Sequence, residues 1–221
     1  MKTKKCTCYE KKDKRNKNSR CDDSNNTFHI EFPLIRIPFR GGGGGGGLGT
    51  IVDFSSGTEI TLQVTRGAQD PPPPITGVII GMGRNAPVTI TNANRIIDLT
   101  GSGNNFSVSL PPGTITFARA TFNNILTTIP PNSIVNMIVQ LYVSSPSNPN
   151  IFLPTNVSRN LGLISSTGGN FSTAFFSNLP VNTQARYLFF AWLTIITGSP
   201  TPVTAQARGS LNVQLTVGEN P

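Results

Sequence analysis

At 221 residues and 23.6 kDa, the chain can build one sizeable domain with a short extra segment. Only 13% of its residues are charged, about half the usual share, yet 37% are hydrophobic, so a core can form. No apolar run approaches the roughly 20 residues of a membrane-crossing helix, and the single histidine, His29, disfavours imidazole-based catalysis.

The charge is concentrated at one end. Residues 1–40 hold eleven Lys or Arg against five acids, which accounts for six of the net +8. No lysine follows Lys17, so the basic character belongs to a tail and not to the body. Residues 1–27 mix Lys, Asn, Asp, Ser and Cys without periodicity and read as a disordered basic arm. The basic residues run into Asn18, Ser19 and Asp22 and not into an apolar stretch, so no classical export signal is expected.

Residues 28–40 form an apolar island that reads as an extended docking peptide. Phe28, Ile30, Phe32 and Leu34 share one parity, as a strand requires, and Ile35, Ile37 and Phe39 occupy the other. Pro33 and Pro38 forbid a stable helix. Residues 41–47, from Gly41 through Gly44 to Gly47, are all glycine and read as a flexible linker. Seven such residues span roughly 15 Å on average and about 24 Å when stretched. An apolar peptide on such a leash invites docking outside its own domain, on another subunit or an anchor protein. The alternative is a first strand of the same domain with the glycines as a long hairpin loop.

Residues 48–221 read as β throughout. Short runs rich in Val, Ile, Thr and Phe alternate with Gly, Pro, Asn and Ser. The runs fall at 49–54, 59–65, 75–82, 88–90 with 95–99, 105–110, 114–122, 136–143, 151–153, 162–165, 172–176, 185–196 and 205–217. This spacing predicts an all-β sandwich or barrel, with a jelly roll the leading case. Pro111-Pro112-Gly113, Pro130-Pro131-Asn132 and the segment 145–150 supply turns, and the four prolines at 71–74 make a stiff loop. The run at 187–196 is the most apolar and predicts a central strand buried on both faces. Tyr187, Phe189, Phe190, Trp192 and Ile195 are therefore candidates for the core or for a trimer interface, one face meeting the core and the other a neighbouring subunit.

No nucleophile–base pair can be assembled, because a Ser/His/Asp site would require His29 to reach the body across the glycines, and no enzyme is expected. Cys6, Cys8, Cys21 and His29 do not match a zinc-knuckle spacing, so no metal is expected. The odd cysteine count suits intermolecular disulfides, with free thiols as the alternative. The glycines are followed by neither a lysine–Ser/Thr ending nor a helix, so they make no phosphate loop, and no cofactor is expected. In residues 41–221, Thr, Ser and Asn make up 56 of 181 positions against 12 charges. A sheet stripped of Lys and Glu packs readily against copies of itself.

Several segments together resemble the C-terminal domain of BclB-type exosporium glycoproteins of Bacillus-like spores. They are Thr50-Ile-Val-Asp-Phe-Ser-Ser-Gly-Thr58, Ile97-Asp-Leu-Thr-Gly101, Phe106-Ser-Val-Ser-Leu-Pro-Pro-Gly-Thr-Ile-Thr116 with Ala118-Arg-Ala-Thr-Phe122, and Val139-Gln-Leu-Tyr-Val-Ser-Ser-Pro146. The resemblance covers about residues 48–217, in the same order. It implies a trimeric, C1q/TNF-like β-sandwich on the spore surface, assembled from the mother cell, with no catalytic residues. The family's collagen-like stalk is replaced here by the glycine run, so no triple helix is expected.

The expectation that follows is a structural spore-surface protein. Its jelly roll forms a homotrimer, and its N-terminal peptide docks on the next subunit or an anchor to build a layer, fibre or appendage. The alternatives are a small viral capsid protein whose basic arm binds genome phosphates, and a glycan- or receptor-binding tip module. Five acids and the cysteines in the arm weigh against nucleic acid.

Overall fold

The computed structural model describes residues 49–66, 74–101, 106–163, 169–197 and 201–218. The arm, the docking peptide and the glycine linker lie outside these residues. The described chain holds eleven strands and no helix. They are β1 (Thr50–Ser55), β2 (Ile60–Arg66), β3 (Ile75–Ile80), β4 (Asn85–Ile90), β5 (Ile97–Asp98), β6 (Thr114–Thr128), β7 (Ser133–Ser145), β8 (Asn148–Leu163), β9 (Gly169–Pro180), β10 (Tyr187–Thr197) and β11 (Val203–Gly218).

One sheet runs β1-β11-β6-β9, with β2 also paired to β11; the other runs β4-β3-β10-β7-β8-β5. Let β1 with β2 count as the first of eight principal strands, followed by β3, β6, β7, β8, β9, β10 and β11. The sheets then read 1-8-3-6 and 2-7-4-5, which is the jelly-roll order. Alternation produces this packing. In β11, Ala205, Ala207, Leu211, Val213, Leu215 and Val217 are buried between the sheets while Gln206, Arg208 and Asn212 face outward. Phe54 of β1 and Phe189 of β10 meet edge-to-face across the sandwich, with ring centroids 5.0 Å apart.

Four of the expected runs differ from the structure. Residues 106–110 form no strand, because Val108 makes only an isolated bridge to Tyr187. The runs at 151–153 and 162–165 begin within one strand, β8, which passes Pro154 through a register shift opposite Gln140 and Tyr142. β6 continues past Phe122 to Thr128 by means of a bulge opposite Arg208 and Gly209. At that bulge Asn124 is buried, and its Nδ2 donates to the backbone carbonyls of Arg208 and Leu126 at 3.2 Å each. Gly209 is required there, since a Cβ would sit 2.8 Å from the Phe122 ring.

The turns follow the expected residues. Gly113, with φ of 145°, leads into β6, and Asn132, with φ of 56°, leads into β7.

Phe189→Ala removes a fully buried ring that joins both sheets. It should cost about 3–5 kcal/mol and lower the thermal midpoint by roughly 10 °C, measured by calorimetry.

Candidate self-association surfaces

The two sheets treat their outer faces differently. On the second sheet, Ile79, Tyr142, Leu188, Phe190 and Trp192 turn away from the sandwich, and a second core forms over them. Its cover is the chain's own segment from β4 onward, through Ile90, Ile97, Leu99 and Phe106. Polar side chains pin that segment. Asn92 Oδ1 accepts from the Ile96 amide at 2.7 Å, and its Nδ2 donates to the Ile96 carbonyl at 2.9 Å. The Leu99 amide donates to the Asn150 carbonyl at 2.9 Å. The Thr100 amide donates to Asp98 Oδ1 at 2.8 Å, and this hydrogen bonding to Thr100 holds the Asp98 carboxyl below its ordinary range.

The strand is therefore buried on both faces from Tyr187 to Leu193, within one chain. Tyr187, Phe189 and Ile195 lie between the sheets, whereas Phe190 and Trp192 lie under the cover. Trp192 is 5% exposed, stacks on Phe190 with centroids 5.3 Å apart, and has the Arg95 guanidinium 5.9 Å from its ring centre. Within the chain, Ile90, Ile97, Leu99 and Phe106 cover this face. Cys6, Cys8, Cys21, the peptide from Phe28 to Phe39 and the linker Gly41 to Gly47 fall outside the described residues.

Tyr142 is also sealed under the cover, and its hydroxyl has no hydrogen-bond partner among the described residues. Burial pushes its phenol up to about 12, against a small downward pull from Arg95.

The first sheet carries no comparable cover among the described residues. Three rows of side chains cross its outer face: Ile51, Thr216, Phe117 and Phe176; then Asp53, Gln214, Arg119 and Ala174; then Ser55, Asn212, Thr121 and Ser172. Its five strands hold only four charged residues, Asp53, Arg66, Arg119 and Arg208, in 56 positions, so little charge repels an approaching sheet. All four are engaged, Arg119 Nε donating to Ser172 Oγ at 3.2 Å and Arg66 Nη1 to the Ile195 carbonyl at 2.8 Å. Arg208 Nε donates to Glu59 at 2.7 Å, and Asp53 Oδ1 accepts from Gln214 Nε2 at 3.0 Å. Asp53, Arg119, Thr121, Asn212 and Gln214 surround a shallow depression of about 270 Å³ that can receive a polar side chain. Phe176 is 84% exposed and rests its ring against Phe117, with centroids 5.6 Å apart. It lies on β9, an uncharged strand whose only strand pairing among the described residues is with β6.

A further group of exposed apolar side chains sits at one end of the sandwich: Ile125 and Leu126 at the bulge of β6, Ile134 at the start of β7 and Ile196 at the end of β10. Sequence reasoning missed all four: Ile125, Leu126 and Ile134 fall outside its expected runs at 114–122 and 136–143, and Ile196 reads as an ordinary strand residue.

Among the described residues, no three His, Cys, Asp or Glu side chains gather as a metal-binding group. No protein-family model matches the chain. No curated protein matches it either. Among solved structures, a lipoprotein from Bacteroides thetaiotaomicron matches 84% of this chain and 92% of its own, at 12% identity and a TM-score of 0.33.

Two outcomes follow from the cover. Trp192 is the sole tryptophan, so its emission should be blue-shifted and its acrylamide quenching independent of protein concentration. Quenching that rises on dilution would mean a partner supplies the shield. The Tyr142 phenol is held neutral by the fold, whereas in the unfolded chain it ionises near 10. Stability should therefore fall as pH climbs from 10 towards 12, by up to about 1.4 kcal/mol per pH unit from this group. Tyr142→Phe should flatten that fall and leave stability at pH 7 equal or higher, by urea titration at both pH values.

Proposed function

We propose that this chain is a structural, non-enzymatic, self-assembling subunit of a spore-surface layer or fibre. The jelly roll associates as a homotrimer, and the N-terminal peptide docks on the next subunit or on an anchor protein. The observation that carries the reading is the exposed Phe176, set on an almost charge-free sheet whose opposite number is sealed by its own chain. A phenyl ring this exposed on a neutral β surface, resting on Phe117, offers an aromatic anchor of the kind enriched in contacts between protein copies. The Thr-, Ser- and Asn-rich face supplies hydrogen bonds without the desolvation cost of charge. The spore location rests on the resemblance of residues 48–217 to exosporium domains.

Deleting residues 1–40 should leave trimers intact while abolishing longer assemblies, as seen by sedimentation velocity and negative-stain microscopy. Long assemblies unchanged by the deletion would defeat the docking role. Phe176→Asp should instead shift trimers to monomers with little change in thermal stability, because the ring contributes little to its own fold.

A further inference from the structure

Two opposite charges stand on the outer face of the first sheet without meeting. Asp53 of β1 and Arg119 of β6 lie in one row, with Gln214 of β11 between them, and both line the shallow depression. Asp53 Oδ1 accepts from Gln214 Nε2 at 3.0 Å. Arg119 turns the other way, its Nε donating to Ser172 Oγ of β9 at 3.2 Å. Both side chains are exposed. Among the described residues the only ion pair joins Arg208 to Glu59, and Asp53 Oδ2 and both terminal nitrogens of Arg119 bond to nothing.

The neighbouring row repeats this division in apolar terms. It runs Ile51, Thr216, Phe117 and Phe176, from β1 across to β9. One half of the face therefore sets an aliphatic side chain, Ile51, beside an acid. The other half sets the exposed Phe176 ring beside a base. Each half offers an apolar group and one charge, and the charges are opposite.

We infer that the two halves meet between copies of the chain: Arg119 of one copy pairs with Asp53 of the next, while Phe176 settles on Ile51. The inference rests on the homotrimer reading and names its contact. Spacing supports it. At ordinary strand spacing and rise, Phe176 and Arg119 are about 8 Å apart, across one strand and one row, and Ile51 and Asp53 are about 7 Å apart along β1. The two pairs therefore fit each other as one contact. A two-fold pairing of the faces would make both contacts in duplicate, which requires the Arg119–Ile51 and Asp53–Phe176 separations to be equal. The rows make them about 12 Å and about 16 Å. The contact is thus heterologous, one half on the unlike half, and a heterologous contact that closes makes a ring.

Charge reversal in the full chain is the test, with trimer dissociation followed by mass photometry and sedimentation equilibrium. Asp53→Arg and Arg119→Asp should each weaken the trimer about tenfold or more, and combined in one chain they should return it to within about threefold of wild type. Equimolar mixing of the two single variants should not restore wild-type trimers, because two kinds of subunit cannot alternate around a ring of three. Emission from Trp192, under the cover of the other sheet, reports that each variant is folded. Should a reversal perturb it, Asp53→Asn and Arg119→Gln carry the test, each weakening the trimer about threefold. Single variants that leave the trimer intact, or a double reversal no better than the singles, overturn the contact and leave self-association standing. Full rescue on mixing overturns the ring. A wild-type chain that stays monomeric overturns both the contact and the reading on which it rests.

Discussion

A strand with apolar side chains on both faces has to be sheltered from water on both sides, and most of this architecture answers that demand. The strand Tyr187–Thr197 directs Tyr187, Phe189, Leu193 and Ile195 into the sandwich and Leu188, Phe190 and Trp192 the other way. Neither face tolerates exposure, since each buried large side chain represents about 1.5–3 kcal/mol of hydrophobic free energy. The first sheet satisfies one face. The second is met by folding the segment after β4 back over the sheet, with Asn92 and Asp98 closing its turns.

That solution makes the exterior asymmetric. One sheet is covered over most of its outer face, and the other presents rows of Thr, Ser, Asn and Gln around a bare phenylalanine. The bulge held by Asn124 adds a second irregularity by bringing two successive apolar residues, Ile125 and Leu126, to the surface.

Much of this was legible in the amino-acid order. Period-two alternation located nearly every strand, and Pro111-Pro112-Gly113 and Pro130-Pro131-Asn132 located two turns. The continuous apolar run at 187–196 correctly announced burial on both faces. What periodicity leaves open is who does the burying, because an intramolecular cover and a neighbouring subunit impose the same pattern. The cover was hidden further because residues 91–101 and 106–108 contribute only a few buried apolar residues, Ile97, Leu99 and Phe106, and hardly any strand. The exposed pole was illegible for a related reason. Ile134 and Ile196 differ from Val135 and Ile195 only in parity and in how far the cover extends. The chemistry-bearing residues of the arm stand as the sequence presents them, since they lie outside the described residues.

The placement of arginine has a consequence for survival. The body has no lysine, and of its seven arginines four, Arg66, Arg119, Arg159 and Arg208, lie within hydrogen-bonded strands. A trypsin-like protease needs some ten residues of unpaired, extended backbone in its cleft, so scission at these sites waits on the rupture of a whole sheet. The other eleven basic residues all fall within the first forty positions. The other three arginines of the body, Arg84, Arg95 and Arg186, lie outside the strands, so digestion of the body would begin at those connections and not in the sheets.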